Sequence, residues 1–307
     1  MRARLFESIL LLVWLGLVPG VTAQTVNSVG DTIPEGWVLK SDAGISLNQS
    51  SFNKAWAGDE VGTFSWIATF GMSAERWVAP WADWKNGLLL QFGQTHQQDA
   101  ARQQWLAPLK SSDKITYRGI VLFKFWALVD PFVAFDVDSQ FFTKRAIPSG
   151  GQLTKALTPT LFTESAGLAR RFVKTERAEV LSRFGFAFKQ RLDRFGRFDP
   201  VAADFESRTT REGGFEWATN SRLTTAEDRT VLLSELRVFK AVATSEKDPV
   251  LRESWSSADV DWQNKLTNKV TKWFAFDLFW QILYDKQIDK RGQFKQTLGA
   301  GFTWQLI

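Results

Sequence analysis

The alternation of apolar and polar side chains is clearest over residues 260–285, VDWQNKLTNKVTKWFAFDLFWQILYD. In its first half Val260, Trp262, Leu266 and Val270 share one parity, and Asp261, Gln263, Lys265, Thr267 and Lys269 take the other. In its second half Phe274, Phe276, Leu278, Trp280, Ile282 and Tyr284 oppose Asp277, Gln281 and Asp285. Successive side chains of a strand point to opposite faces, so the stretch predicts two amphipathic strands about a tight turn at Trp273. A turn centred there sets Lys269 opposite Asp277, Lys265 opposite Gln281 and Asp261 opposite Asp285. Long aromatic rows backed by rows carrying both signs of charge are what a transmembrane barrel requires and a soluble sandwich rarely shows.

The same period recurs along the chain. Strands are predicted over about 37–52, from 63 past Met72, over 84–95, 113–128, 132–142, 160–172 and 178–192, around Phe215–Trp217, around Leu232–Val238, over the two halves of 260–285, and from Phe294 to Leu306. The connections 53–62, 96–112, 143–159, 193–213, 243–257 and 286–292 are long, whereas 76–83, 129–131, 173–177, 225–228 and 273 are short. Long loops alternating with short turns are the outer-membrane pattern, with both termini on the periplasmic side. The predicted fold class is therefore all-β: a transmembrane antiparallel up-and-down β-barrel of about 12 strands over residues 37–307. Its last strand pairs with its first, with Phe302, Trp304 and Leu306 towards lipid and Gly301, Thr303 and Gln305 towards the interior.

Residues 1–23 read as a secretory signal peptide: Arg2 and Arg4, an apolar stretch over 9–18, and a small-residue cleavage site at Val21-Thr22-Ala23. Residues 24–36 read as a short periplasmic lead-in. No apolar run approaches the roughly 20 residues of a spanning helix. The chain of 307 residues has no cysteine, which excludes the small disulfide-stapled secreted classes. Its 15 Trp and 26 Phe, with 23% charged residues, suit a surface divided between lipid and water. The basic residues are scattered and no recognition motif accompanies them, so nucleic acid is not an expected partner. The expected neighbours are outer-membrane lipids and lipopolysaccharide, with the barrel-assembly machinery as the partner of insertion.

At Leu47-Asn48-Gln49-Ser50-Ser51-Phe52, followed by Asn53-Lys54-Ala55-Trp56-Ala57-Gly58, the chain resembles the family catalogued as domain of unknown function 3078. Further likenesses are Asp113-Lys114-Ile115, the LFTESAG segment over 161–167, and the VDWQNKLTNKVTKW run with Tyr284-Asp285. The resemblance covers nearly all the chain after residue 23 and implies an outer-membrane β-barrel with no established activity.

Little in the sequence carries catalytic chemistry, and no cofactor is expected. His96 is the sole histidine, which argues against a dedicated transition-metal site. As the base of a rim lipid hydrolase it has Ser111 and Ser112 across a loop but no nucleophile motif. Glu164 breaks the parity by sharing the apolar face with Phe162, Ala166 and Leu168. The candidate functional residues are instead those lining the lumen: Arg118, Asp136, Asp138, Arg183, Lys189, Glu235, Arg237, Lys265, Lys269 and Asp277. The same parity puts Lys114, Arg171, Glu216 and Asp261 inside, with basic residues in excess, which favours anions. These residues predict a narrow charged pore or uptake conduit. The alternatives are a structural barrel displaying long loops to a partner, and the rim hydrolase.

Overall fold

A computed structural model describes residues 36–50, 61–99, 104–125, 128–146, 152–193, 198–199, 204–205, 207–225, 227, 229–247, 255, 257–286 and 291–305. The expected signal peptide, nearly all of the lead-in, most of the first long loop and Leu306 lie outside the described residues.

The strands are β1 (Val38–Ser50), β2 (Thr63–Ala79), β3 (Ala82–Gln97), β4 (Leu109–Phe123), β5 (Asp130–Ser139), β6 (Phe142–Ala146), β7 (Gln152–Ala156) and β8 (Thr160–Lys174). They continue as β9 (Ala178–Asp193), β10 (Phe198–Asp199), β11 (Asp204–Phe205), β12 (Arg208–Thr224), β13 (Thr230–Thr244), β14 (Ala258–Lys269), β15 (Phe274–Tyr284) and β16 (Gln293–Gln305). Twelve of these close into one barrel in the order β1-β16-β15-β14-β13-β12-β9-β8-β5-β4-β3-β2. All neighbours are antiparallel, and the seam runs from Asp42↔Gln305 to Leu47↔Ala300. Strands β6–β7 and β10–β11 form two separate hairpins within long connections.

The sequence alternation is the reason for these strands, and burial shows which face is which. On β9, Phe184 and Phe186 are 58% and 50% exposed, whereas the intervening or flanking Arg183 and Ala187 are buried. On β16, Phe302 and Trp304 face outward, while Gly301 and Thr303 pair inward with Ser46 and Gly44. A continuous, outward apolar band of this extent is unstable against water and suited to hydrocarbon. The closed ladder meets the second requirement of a bilayer, since it leaves no sheet edge.

Several boundaries differ from the sequence pattern. The β14–β15 turn is centred one residue early, on Lys272. There the Thr271 hydroxyl accepts from the backbone N–H groups of Trp273 and Phe274, at 3.2 and 3.0 Å. Val270 and Thr271 in turn donate to the Phe274 carbonyl. Lys269 therefore faces Ala275, Asp277 faces Thr267, Gln281 faces Gln263, and Asp261 faces Leu283. Each partner moves by two positions, so every side chain keeps its expected face. The turn after β2 is only Pro80 and Trp81, because Trp77 and Trp84 pair within the strands. Strand β4 begins earlier and ends earlier than the pattern suggests, and β12 takes in residues expected in a loop.

A charged network inside the barrel

Six of the ten candidate residues meet at mid-height on the inner wall. Asp136 of β5 is 2% exposed and accepts through Oδ2 from Arg183 of β9 at 3.2 Å and Arg237 of β13 at 2.6 Å. Glu216 of β12, also buried, lies 3.7 Å from Arg183 and 3.9 Å from Arg237. Arg237 Nε also donates to Glu235. Arg118 of β4 holds Asp138 at 2.9 Å and reaches Glu235 at 3.7 Å. Strands β4 and β13 are not neighbours, so the last contact crosses the interior. A further tie is wider still. Lys114 Nζ on β4 donates to Gln263 on β14 at 2.8 Å, and these strands stand on opposite sides of the closed order.

Apolar layers bound the network above and below. Towards the short turns, Leu122, Phe132, Ala134 and Ala169 cluster on the inner face, with Ile120 and Leu181 against them. Towards the long loops, Ala187, Phe239 and Ala241 form a second cluster with Trp255. Ion pairs inside such layers are poorly screened and costly to break singly. Not every buried atom is satisfied: Asp136 Oδ1, Glu216 Oε1, Arg118 Nε and Arg183 Nε make no hydrogen bond.

The remaining four candidates sit apart. Lys189 lies 4.0 Å from Asp259 and over the Phe239 ring at 3.7 Å. Lys265 and Asp277 pair with each other at 3.6 Å, so the Lys–Asp277 attraction expected of Lys269 is made two inward positions further along β14. Lys269 is exposed at the short-turn end, where its backbone N–H donates to Arg229.

A second charged cluster stands near the short turns, and of its members only Arg171 is among the lumen residues expected from the sequence. Lys85 contacts Glu75 at 3.1 Å, Asp83 at 3.7 Å and Glu179 at 3.9 Å, and Arg171 reaches Asp83 and Glu179. Extending strict parity through Trp84 would have placed Asp83 and Lys85 inside. Glu75, Asp83, Asp130, Glu179, Asp193, Glu212 and Asp259 are all on inward positions by their pairing, joined by the cations Lys85, Lys174, Arg208 and Lys295. They offset the basic excess, and the anion preference inferred from it no longer follows.

Asp113 is a different kind of feature, at the long-loop end. Its carboxylate accepts from the backbone N–H groups of Phe141 and Phe142, at 2.6 and 3.0 Å, and from Lys110 Nζ at 2.9 Å. His96 lies on the outward parity of β3 opposite Phe64, their rings 6.3 Å apart. Ser112 faces inward opposite Gly93, and Ser111 Oγ lies 3.1 Å from where an inward Cβ on Gly93 would stand. His96 and these serines are thus on opposite faces and are not brought together. Glu164 is exposed on the outward face between Phe135 and Phe188, as parity requires. At the short-turn end Trp81 stacks on Phe123 and Phe125 at 6.1 and 5.4 Å, the arrangement of an interfacial aromatic belt.

These features define a transmembrane β-barrel with a charged interior. The family model described as protein of unknown function (DUF3078) matches residues 47–144, so the family likeness is carried by β1 to β6, and the segments over 161–167 and 260–285 lie outside it. No curated protein matches the sequence. Among solved structures, an outer membrane channel from Pseudomonas putida F1 is similar at 10% identity and a TM-score of 0.42, over 90% of this chain and 98% of that one. The translocator domain of the autotransporter NalP from Neisseria meningitidis is similar at 12% identity and a TM-score of 0.38, over 98% and 95%. At these scores neither likeness bears on what this barrel carries.

Proposed function

We propose that this chain is a narrow pore of the bacterial outer membrane, its bore reduced by its own ion pairs. The observation that supports this reading most is the Lys114–Gln263 tie between opposite walls, beside the Arg118–Glu235 contact. Polar side chains that meet across a barrel interior leave room only for small solutes. Twelve strands are also fewer than the roughly 16–18 that enclose a wide aqueous channel. The apolar exterior and interfacial tryptophans support the membrane, and the alternation of short turns with long connections supports its orientation. A cleaved leader over residues 1–23 would deliver the chain to that compartment, where lipid and lipopolysaccharide surround it and the barrel-assembly machinery inserts it.

The test is a planar-bilayer recording of the refolded barrel. Small steps with weak ion preference are expected, since inward charges of the two signs nearly balance. Large steps like those of a general porin would overturn the reading. A silent barrel would favour the alternative, a structural protein presenting its long loops and their β6–β7 and β10–β11 hairpins to a partner. No arrangement among the described residues supports the rim hydrolase.

A further inference from the structure

The network closes only one side of the interior. Inward residues of β4, β5, β8, β9, β12 and β13 include most of the buried side chains, charged and apolar alike. On the other side, Lys40 and Asp42 of β1, Ser73 of β2 and Lys295 of β16 face inward yet stay exposed. The side chains there lie along the wall. Asp42 leans over Gly71, with a carboxylate oxygen 2.9 Å from where a Cβ on Gly71 would stand, and Ser46 lies over Gly299 at 3.3 Å. A Cβ on the inward Gly87 would meet nothing within 4 Å. Among the charged groups on this side Lys265 pairs with Asp277, with Asp42 near both, and at the short-turn end Asp83 and Lys85 of β3 reach Arg171 and Glu179 of the packed side.

From this asymmetry we infer that the conducting path is eccentric, running against β14 to β16 and β1 to β3, and that Asp42, Lys265 and Asp277 are its selectivity-determining residues. The Arg118–Arg183–Arg237 cluster is then a fixed buttress that solutes pass beside. Walls of hydroxyl, amide and glycine positions, with charges of both signs, suit hydrated monovalent ions and small uncharged polar solutes better than polyanions. The inference rests on the pore reading for what moves but not for where the water is.

The absence of cysteine makes the test direct, because single cysteines need no background removal. Ser46→Cys and Gly87→Cys on the open side are compared with Ala218→Cys and the near-isosteric Ser165→Cys on the packed side. Each is labelled in lipid vesicles with a small hydrophilic methanethiosulfonate and read by mass spectrometry. The open-side cysteines should react on the order of tenfold faster, because reaction at a closed position waits for local opening. In a bilayer, labelling Ser46→Cys should also lower the conductance. Equal rates on the two sides, or faster reaction at Ser165→Cys, would overturn the inference. Fast open-side labelling in a barrel that carries no current would sink the pore reading while leaving the eccentric path in place.

Discussion

The two sides of the inner wall solve the same problem in opposite ways. A closed ladder obliges half of all strand side chains to point inward, whatever they are. Between β4 and β13 the chain fills that space: Asp136, Arg183 and Glu216 are buried in mutual contact, between apolar layers built on Phe132 and Phe239. From β14 through β16 to β3 it thins the wall, placing Gly44, Gly71, Gly87, Gly299 and Gly301 where side chains would otherwise project. The comparison teaches that inward charge has no single meaning. Stability rests on the packed side, where charges are desolvated and mutually held; on the open side they stay wet and free to act on a passing solute.

The largest effect is expected from Asp136→Ala, which strands Arg183 and Arg237 beside an emptied position. Removing one partner of a buried ion pair costs about 3–5 kcal/mol, to be read from urea unfolding of the detergent-solubilised barrel. A loss as small as that of a surface charge would erase the distinction between the two sides. Lys114→Met removes the tie between them. A hydrogen bond from a charged donor contributes about 1.5–3 kcal/mol, and conductance should rise as the bridge is cut; an unchanged current would show that Lys114 does not narrow the path. A double-mutant cycle on Lys265 and Asp277 should give roughly 0.2–1 kcal/mol, as for exposed pairs. That coupling should fade at high salt, where the Debye length shortens. Asp42→Asn is the smallest case: stability is expected within about 0.5 kcal/mol, while the reversal potential in a salt gradient shifts towards anions.

The sequence pattern made the barrel legible because period-two alternation is imposed by the bilayer on every strand. The same alternation sets the face of each network member, buried Arg183 beside outward Phe184 being one example. It could not show that Arg118, Asp136 and Arg237 converge, because parity specifies a face but carries no height around a closed, tilted ladder. The β14–β15 register was misread through a local effect, the Thr271 hydroxyl drawing the reversal one residue earlier. Asp83 falls in the turn the pattern draws too wide, since Trp77 looks like a girdle residue whether or not it is paired. Asp113 appears only as part of the family likeness Asp113-Lys114-Ile115, with nothing to mark its role. A carboxylate that holds two loop amides reads, in one dimension, as another polar strand residue.

The Lys114–Gln263 tie joins residues 149 positions apart, and this separation has a kinetic consequence. The two strands become opposite walls only once β16 has zipped onto β1, so the bond is absent while the sheet is still an open, curling ribbon. Contacts missing from the rate-limiting step leave assembly speed untouched and act on disassembly alone. The tie is therefore a latch: Lys114→Met barrels should insert at the wild-type rate and fall apart sooner, a difference that time-resolved unfolding in denaturant would record.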